Sequence, residues 1–182
     1  MITVAAVLAA GKSTRFGSED KLLADFKGNS LASYAARAVS DLSVTRRIVA
    51  YRNPQILQLF DGFDQIEVTG TQSDSLKACV RYAKGLSADR LLVTLADTPR
   101  VDASVLSALL SHPPDQVVAS QAVKGATVPA CLPAACFDEL LTLEGDVGAR
   151  SVLNTPGTLL VSVDLEKLID IDTKEMLAQH SS

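Results

Sequence analysis

Short apolar runs alternate with amphipathic helical stretches along this chain, and that alternation restricts the fold more than any other feature. Ile2–Leu8, Arg47–Tyr51, Gln65–Val68, Arg90–Leu95, Gln116–Ser120 and Leu159–Val163 read as strands. Between them, Ser30–Leu42, Pro54–Phe60, Ser73–Leu86, Ala103–Leu110 and Ala134–Leu143 read as helices. Leu31, Tyr34, Ala35, Ala38 and Leu42 follow a candidate N-cap, Ser30, at helical spacing, and Leu76, Cys79, Val80 and Ala83 share one helical face. Arg90–Leu95 is nearly continuous apolar sequence, the pattern of a central parallel strand covered on both faces. Such alternation predicts an α/β fold: a mostly parallel sheet with helices on both sides, in three layers, joined by right-handed crossovers. Lys124–Pro133 breaks the pattern and is expected to form a small antiparallel insertion or lid over the cleft. No repeat or linker divides residues 1–182, so a single domain is expected.

Composition narrows the partners. The 182 residues are 47% apolar with 4% aromatics and no Trp, so a sizeable core must come from Leu, Val, Ile and Ala. The net charge of −4 offers no general attraction to nucleic acid or an anionic membrane, so any anion site must be local. Cys79, Cys131 and Cys136, with His112 and His180, make no zinc pattern. Their odd count suits reduced, buried thiols in a cytoplasmic protein. Met1–Ala10 is apolar but lacks a basic leader, and reads as a buried strand rather than a signal peptide. No apolar run approaches the roughly 20 residues that span a bilayer.

The local anion site is the segment Leu-Ala-Ala-Gly-Lys-Ser-Thr-Arg-Phe-Gly-Ser-Glu-Asp-Lys at 8–21. It combines a Gly turn with Lys12, Arg15 and Lys21, directly after the first strand. Backbone N–H groups and cations in such a loop suit a polyphosphate, and open α/β sheets bind ligands beyond the carboxyl ends of their strands. A Walker A loop is excluded, because the required first glycine is Ala6, and the dinucleotide fingerprint lacks its third glycine. Asp97 ends the strand Arg90–Leu95 on the same edge. It reads either as a Mg²⁺ ligand for phosphate oxygens or as the opening of a Pro-containing turn. Its strand-end position predicts that replacing it spares the fold. Asp172, within Asp170-Ile171-Asp172-Thr173, could complete a metal site or cap a final helix, Lys174–Gln179, a task equally open to Thr173.

Taken together, Leu-Ala-Ala-Gly-x-Ser-x-Arg-x-Gly with Lys21, Asp97-x-Pro99, Gly145-Asp146-x-Gly148-Ala149-Arg150 and Asp170-x-Asp172-Thr173 resemble the nucleotidyltransferases of the molybdenum cofactor. The match is closest to their cytidylyltransferase branch. The resemblance implies a Rossmann-like fold of the nucleotide-diphospho-sugar transferase type and transfer of CMP from CTP to molybdopterin, with pyrophosphate leaving. It implies that CTP lies along Leu8, Ala9, Ala10, Gly11, Lys12 and Ser13. Ser73, Asp74 and Ser75 match a family segment that contacts base or ribose. Arg15 and Lys21 would neutralise the triphosphate, Asp97 and Asp172 would hold Mg²⁺, and Asp146, Gly148 and Arg150 would meet the acceptor. Ala10, where guanylyl-transferring relatives have Gly, would favour the smaller base through a methyl at its edge.

The chain departs from the family pattern at Ala96, where Gly is usual, at Ala134, where an Arg is common and Arg150 is the substitute candidate, and at Lys174, which replaces a Pro. The resemblance also implies transient docking to a molybdoenzyme or its chaperone. Two other readings stay open: the same chemistry on a sugar or polyol phosphate, and a non-catalytic carrier of the finished cofactor.

Overall fold

A computed structural model describes residues 1–11, 15–17, 19–144 and 149–181, without the side chains of Gln72 and Arg150. The strands are β1 (Thr3–Ala9), β2 (Asp25–Phe26), β3 (Asn29–Ser30), β4 (Arg46–Tyr51), β5 (Asp64–Glu67), β6 (Arg90–Leu95), β7 (Val118–Ala122), β8 (Gly125–Pro133) and β9 (Leu159–Ser162). The helices are α1 (Leu31–Ser40), α2 (Gln72–Gly85), α3 (Ala103–Leu110), α4 (Phe137–Leu141), α5 (Arg150–Leu153) and α6 (Lys174–Ser181). Pro54–Leu59 and Ala134–Cys136 are 3-10 turns rather than the α-helical starts expected there.

Among the described residues the main sheet has seven strands in the order β5-β4-β1-β6-β8-β7-β9. β5, β4, β1 and β6 pair in parallel, as does β9 with β7. Only β8 is reversed, antiparallel to both β6 and β7. The segment expected as an insertion or lid is therefore antiparallel, but it lies inside the main sheet. Its direction follows from its connection. A tight turn at Val123–Lys124, closed by Gly125 at a φ of +104°, leaves no room for a crossover helix. Pro129, which has no N–H to give, falls where the β7 register slips between Ala119 and Ser120, so it interrupts no ladder bond.

The period-2 alternation of β1 sends its side chains into two cores. Ala5, Val7 and Ala9 join Ala32, Ala35 and Val39 of α1 and Leu106 and Leu109 of α3 on one face. Val4 and Ala6 join Leu76, Cys79, Val80 and Ala83 of α2 and Phe137 and Leu140 of α4 on the other. This gives the three layers that the helical periodicities predicted. At the edge of the sheet where β1, β4 and β6 start, Arg47 donates to the carbonyls of Val39, Ser40 and Leu42, and Arg90 to those of Leu110 and His112. Each closes the end of one helix, satisfying carbonyls that have no partner within it. Ser30 occupies the N-cap position of α1, but its side chain makes no capping bond.

A smaller cluster matters more for function. Phe16, Phe26, Leu31 and Ile171 are buried together, with Ile169, Met176 and Leu177 against them. It fastens the loop after β1 to the C-terminal segment, and so brings the two ends of the chain to one place.

Candidate nucleotidyl-transfer site

β1 and β6 run side by side in register, from Thr3 opposite Arg90 to Leu8 opposite Leu95. They therefore end at the same edge of the sheet. The Ala96 N–H donates to the Leu8 carbonyl at 3.1 Å, so Gly11 and Asp97 leave the sheet as neighbours. The Ile171 N–H donates to the Asp97 carbonyl at 2.9 Å and carries Asp172 to the same place. Asp20 caps the 3-10 turn Lys21–Leu23 by accepting the Leu22 N–H at 3.0 Å, and it is braced in turn by the Asn53 amide at 2.8 Å. That turn drives Lys21 inward.

Lys21 Nζ lies 2.6 Å from Asp97 Oδ2 and 2.9 Å from Asp172 Oδ1, with its side chain only 8% exposed. Arg15, largely exposed, donates to the second oxygen of Asp172 at 3.2 Å. Burial works against the Lys21 charge, but the two carboxylates outweigh it and hold the ammonium above its ordinary range. The bond from Lys21 holds Asp172 below the usual carboxylate range, while burial pushes Asp97 up against the pull of Lys21. Asp97 Oδ1 is buried with no hydrogen-bond partner. The structure thus brings Arg15, Lys21, Asp97 and Asp172 together. It also shows the two expected metal ligands bridged by the lysine that was expected to meet the triphosphate. Thr173, not Asp172, caps the final helix by accepting the Met176 N–H at 3.2 Å. Lys174 pairs with Glu19 at 2.9 Å, so the residue replacing the family's Pro ties α6 to the loop after β1.

Other expected contacts are placed differently. Thr71 and Asp74 form a capping box at the start of α2. Ser73 and Ser75 are buried, and both hydroxyls turn back toward Thr71. The methyl of Ala10, 7% exposed, belongs to the apolar cluster that holds Val68 and Leu76. Leu8 and Ala9 are likewise packed into the sheet's cores, while Gly11 is exposed. Ala134 donates to the Asp89 carbonyl at the opposite edge of the sheet, so a cation missing there takes nothing from this site. Lys12, Ser13, Asp146 and Gly148 lie outside the described residues, as does the side chain of Arg150, whose backbone opens α5.

Arg52 is a residue that sequence reasoning missed. It follows β4 and donates to carbonyls of both loops at this edge, Ala10 and Thr69–Gly70. Its one signal was a cation immediately after a parallel strand. The cysteines are all free, and burial pushes the Cys79 and Cys131 thiols up to about 12, which suits packing rather than chemistry. Among the described residues no group of three or more His, Cys, Asp or Glu side chains could hold a metal, and no helix is long and apolar enough to cross a membrane.

A parallel-sheet edge carrying Gly11 and paired acids is the ligand-binding edge of the open α/β class. The comparisons make the class specific: residues 5–162 match the MobA-like NTP transferase domain, and the chain belongs to that family. It is a nucleotidyltransferase. The purine catabolism protein PucB of Bacillus subtilis is 28% identical over 186 residues, covering 92% of this chain and 90% of that protein. Among solved structures, Rv0371c of Mycobacterium tuberculosis in complex with manganese has a TM-score of 0.80 at 19% identity, covering 100% of this chain and 98% of its own. A nucleotidyl transferase from Methanothermobacter has a TM-score of 0.80 at 21% identity, covering 99% and 96%. At these identities the structures establish the shared fold.

Proposed function

We propose that this chain transfers CMP from CTP to molybdopterin, or its molybdenum-loaded form, and releases pyrophosphate. The observation that carries the reading is the meeting of Lys21, Asp97, Asp172 and Arg15 at the sheet edge where Gly11 is exposed. A phosphate oxygen of the acceptor attacks the α-phosphorus of CTP. The bond from that phosphorus to the oxygen bridging the α- and β-phosphates breaks, and pyrophosphate leaves with its electron pair. No covalent intermediate on the protein is needed, so catalysis is positioning and charge stabilisation.

Gly11 supports a close approach of the nucleotide. A Cβ there would meet no described atom within 4 Å, and its φ is not positive, so the fold itself does not require a glycine. Arg15 and Lys21 supply positive charge to the phosphates, Lys21 once the nucleotide draws it from its carboxylates. Lys12 and Ser13 extend the same loop, and Asp146, Gly148 and Arg150 are assigned to the acceptor. The CTP assignment rests on the sequence resemblance, because the Ala10 methyl is packed in the core.

Asp97 and Asp172 fit Mg²⁺: both offer hard carboxylate oxygens, and the unpartnered, buried Asp97 Oδ1 has its bonding capacity to spare. Two carboxylates suffice where substrate phosphates supply further oxygens. When bound, the ion neutralises charge on the phosphate oxygens. The manganese complex of Rv0371c supports a divalent ion at this fold. Three free cysteines support a reducing compartment, the cytoplasm. Delivery of the product would use transient docking to a molybdoenzyme or its chaperone. A pull-down that recovers neither would count against that step.

The test is pyrophosphate release with Mg²⁺ and purified molybdopterin, with CTP, GTP, ATP and UTP compared side by side. Release with CTP alone is expected. Release with another nucleotide overturns the base, and CTP binding without release overturns the acceptor and directs the search to sugar and polyol phosphates.

A further inference from the structure

Arg52 carries an inference beyond this scheme. Its Nε donates to the Ala10 carbonyl at 3.1 Å, its Nη1 to the Thr69 carbonyl at 3.1 Å and its Nη2 to the Gly70 carbonyl at 2.6 Å. Ala10 opens the loop after β1, while Thr69 and Gly70 lead into Thr71, the N-cap of α2. Arg47 and Arg90 also spend their guanidinium groups on carbonyls, but each serves one helix end at the far edge of the sheet. Arg52 instead joins two loops that are far apart in sequence, at the edge where ligands of such sheets bind.

The bond to Ala10 also fixes a direction. A trans peptide is planar, with its C=O and N–H on opposite sides. The one cis peptide among the described residues is Val128–Pro129. With the Ala10 carbonyl turned toward Arg52, the Gly11 N–H is turned away from it. The fork geometry is needed for this. A guanidinium spreads its donors over a rigid plane and reaches the Ala10, Thr69 and Gly70 carbonyls from three different nitrogens, whereas a lysine ammonium offers all its donors from one atom.

We propose that Arg52 is a positioning residue for the nucleoside end of the substrate. It sets the gap between the 10–11 and 69–71 loops and aims the Gly11 N–H, while the triphosphate is held elsewhere. This rests on the nucleotidyl-transfer reading above, and a ligand-free measurement separates the two.

The experiment compares wild type, Arg52→Lys and Arg52→Met in Mg²⁺-containing binding titrations with CTP, GTP, ATP, UTP and inorganic tripolyphosphate. We expect the nucleotide preferred by wild type to bind at least about tenfold more weakly to both variants. Tripolyphosphate binding stays unchanged, and in turnover the loss appears in KM rather than kcat. If Arg52→Met does not melt cooperatively, Arg52→Lys alone decides. Wild-type affinity in Arg52→Lys would overturn the proposal, since charge without the fork would then suffice. Loss of tripolyphosphate along with the nucleotides would overturn it too, by making Arg52 a general support of the loops.

If wild type binds no nucleotide, the proposed function falls, and hydrogen exchange without ligand judges the tether. Faster exchange in Arg52→Lys at Gly11 and Thr71, with Leu92 and Val93 unchanged, keeps it. Equal exchange overturns it.

Discussion

Ile171 donates its N–H to the carbonyl of Asp97 at 2.9 Å, and this main-chain bond brings Asp97 and Asp172 to the same edge of the sheet. The backbones from which the two carboxylates project are thereby held side by side. Lys21 fills the position between them. With Arg15 on the second oxygen of Asp172, two cations and two carboxylates balance, so a metal ion gains the carboxylates as the cations turn to the phosphates.

Asp97→Asn keeps the shape of the side chain and removes its charge. Turnover should fall by at least about 100-fold with the far-UV spectrum unchanged. Asp97→Ala should in addition lower stability. The strand-end position predicted no such cost, but the carboxylate is bonded to an almost fully buried ammonium. Losing a charged hydrogen bond of this kind costs about 2 kcal/mol, or roughly 4–8 °C in Tm for a domain of this size. Thermal melts of both variants beside wild type check the difference.

Lys21→Met leaves Asp97 and Asp172 facing each other without their cation. Like charges this close raise the free energy of the folded state unless another cation takes the position. The variant should be less stable than wild type in EDTA and should recover more Tm than wild type on adding Mg²⁺ or Mn²⁺. Equal recovery in the two proteins would remove these carboxylates from the metal assignment.

The two glycines at this edge should respond in opposite ways. Gly11→Ala meets no described atom within 4 Å, so its melting should match wild type while nucleotide binding weakens. Gly70→Ala would place a Cβ 2.1 Å from Asp74 Oδ2, so it must displace the carboxylate of the α2 capping box. Its Tm should fall without any ligand present. Calorimetry and a nucleotide titration on the same samples separate these outcomes.

Asp102, the N-cap of α3, gives a pH signature away from the site. Burial pushes its carboxyl up, but bonds from Lys167, Ser104 and the Val105 N–H outweigh this and hold it at about 2, against an ordinary 3.8. A depressed carboxyl contributes stability above its unfolded value and loses it as pH falls through the folded one. The advantage of wild type over Asp102→Asn should therefore be constant above about pH 4 and vanish toward about pH 2. Urea unfolding across that range measures it.

Periodicity made most of this fold legible, because burial on alternate faces or on one helical stripe leaves its mark in residue order. Arg90–Leu95 declared itself a central strand by being apolar throughout. The reversal of β8 was less visible, since direction depends on the length of a connection, and Pro129 disguised a central strand. At the site, Lys21, Asp97 and Asp172 could each be found at the end of an element, but their mutual pairing is a tertiary fact. The burial of Ser73 was legible in the same pattern. Ser73 lies three and seven positions before Leu76 and Val80, on the helical face that faces the core. Arg52 left no motif, because its partners are carbonyls, which every residue owns.

The apolar cluster of Phe16, Phe26, Leu31 and Ile171 has a consequence for when activity can begin. Arg15, Lys21 and Asp97 are synthesised before Asp172. A ribosome-bound chain that has not yet exposed Ile171 and Asp172 holds Lys21 and Asp97 without their third member. The proposed chemistry thus requires the chain through Asp172, and a form truncated before Ile171 should lack it.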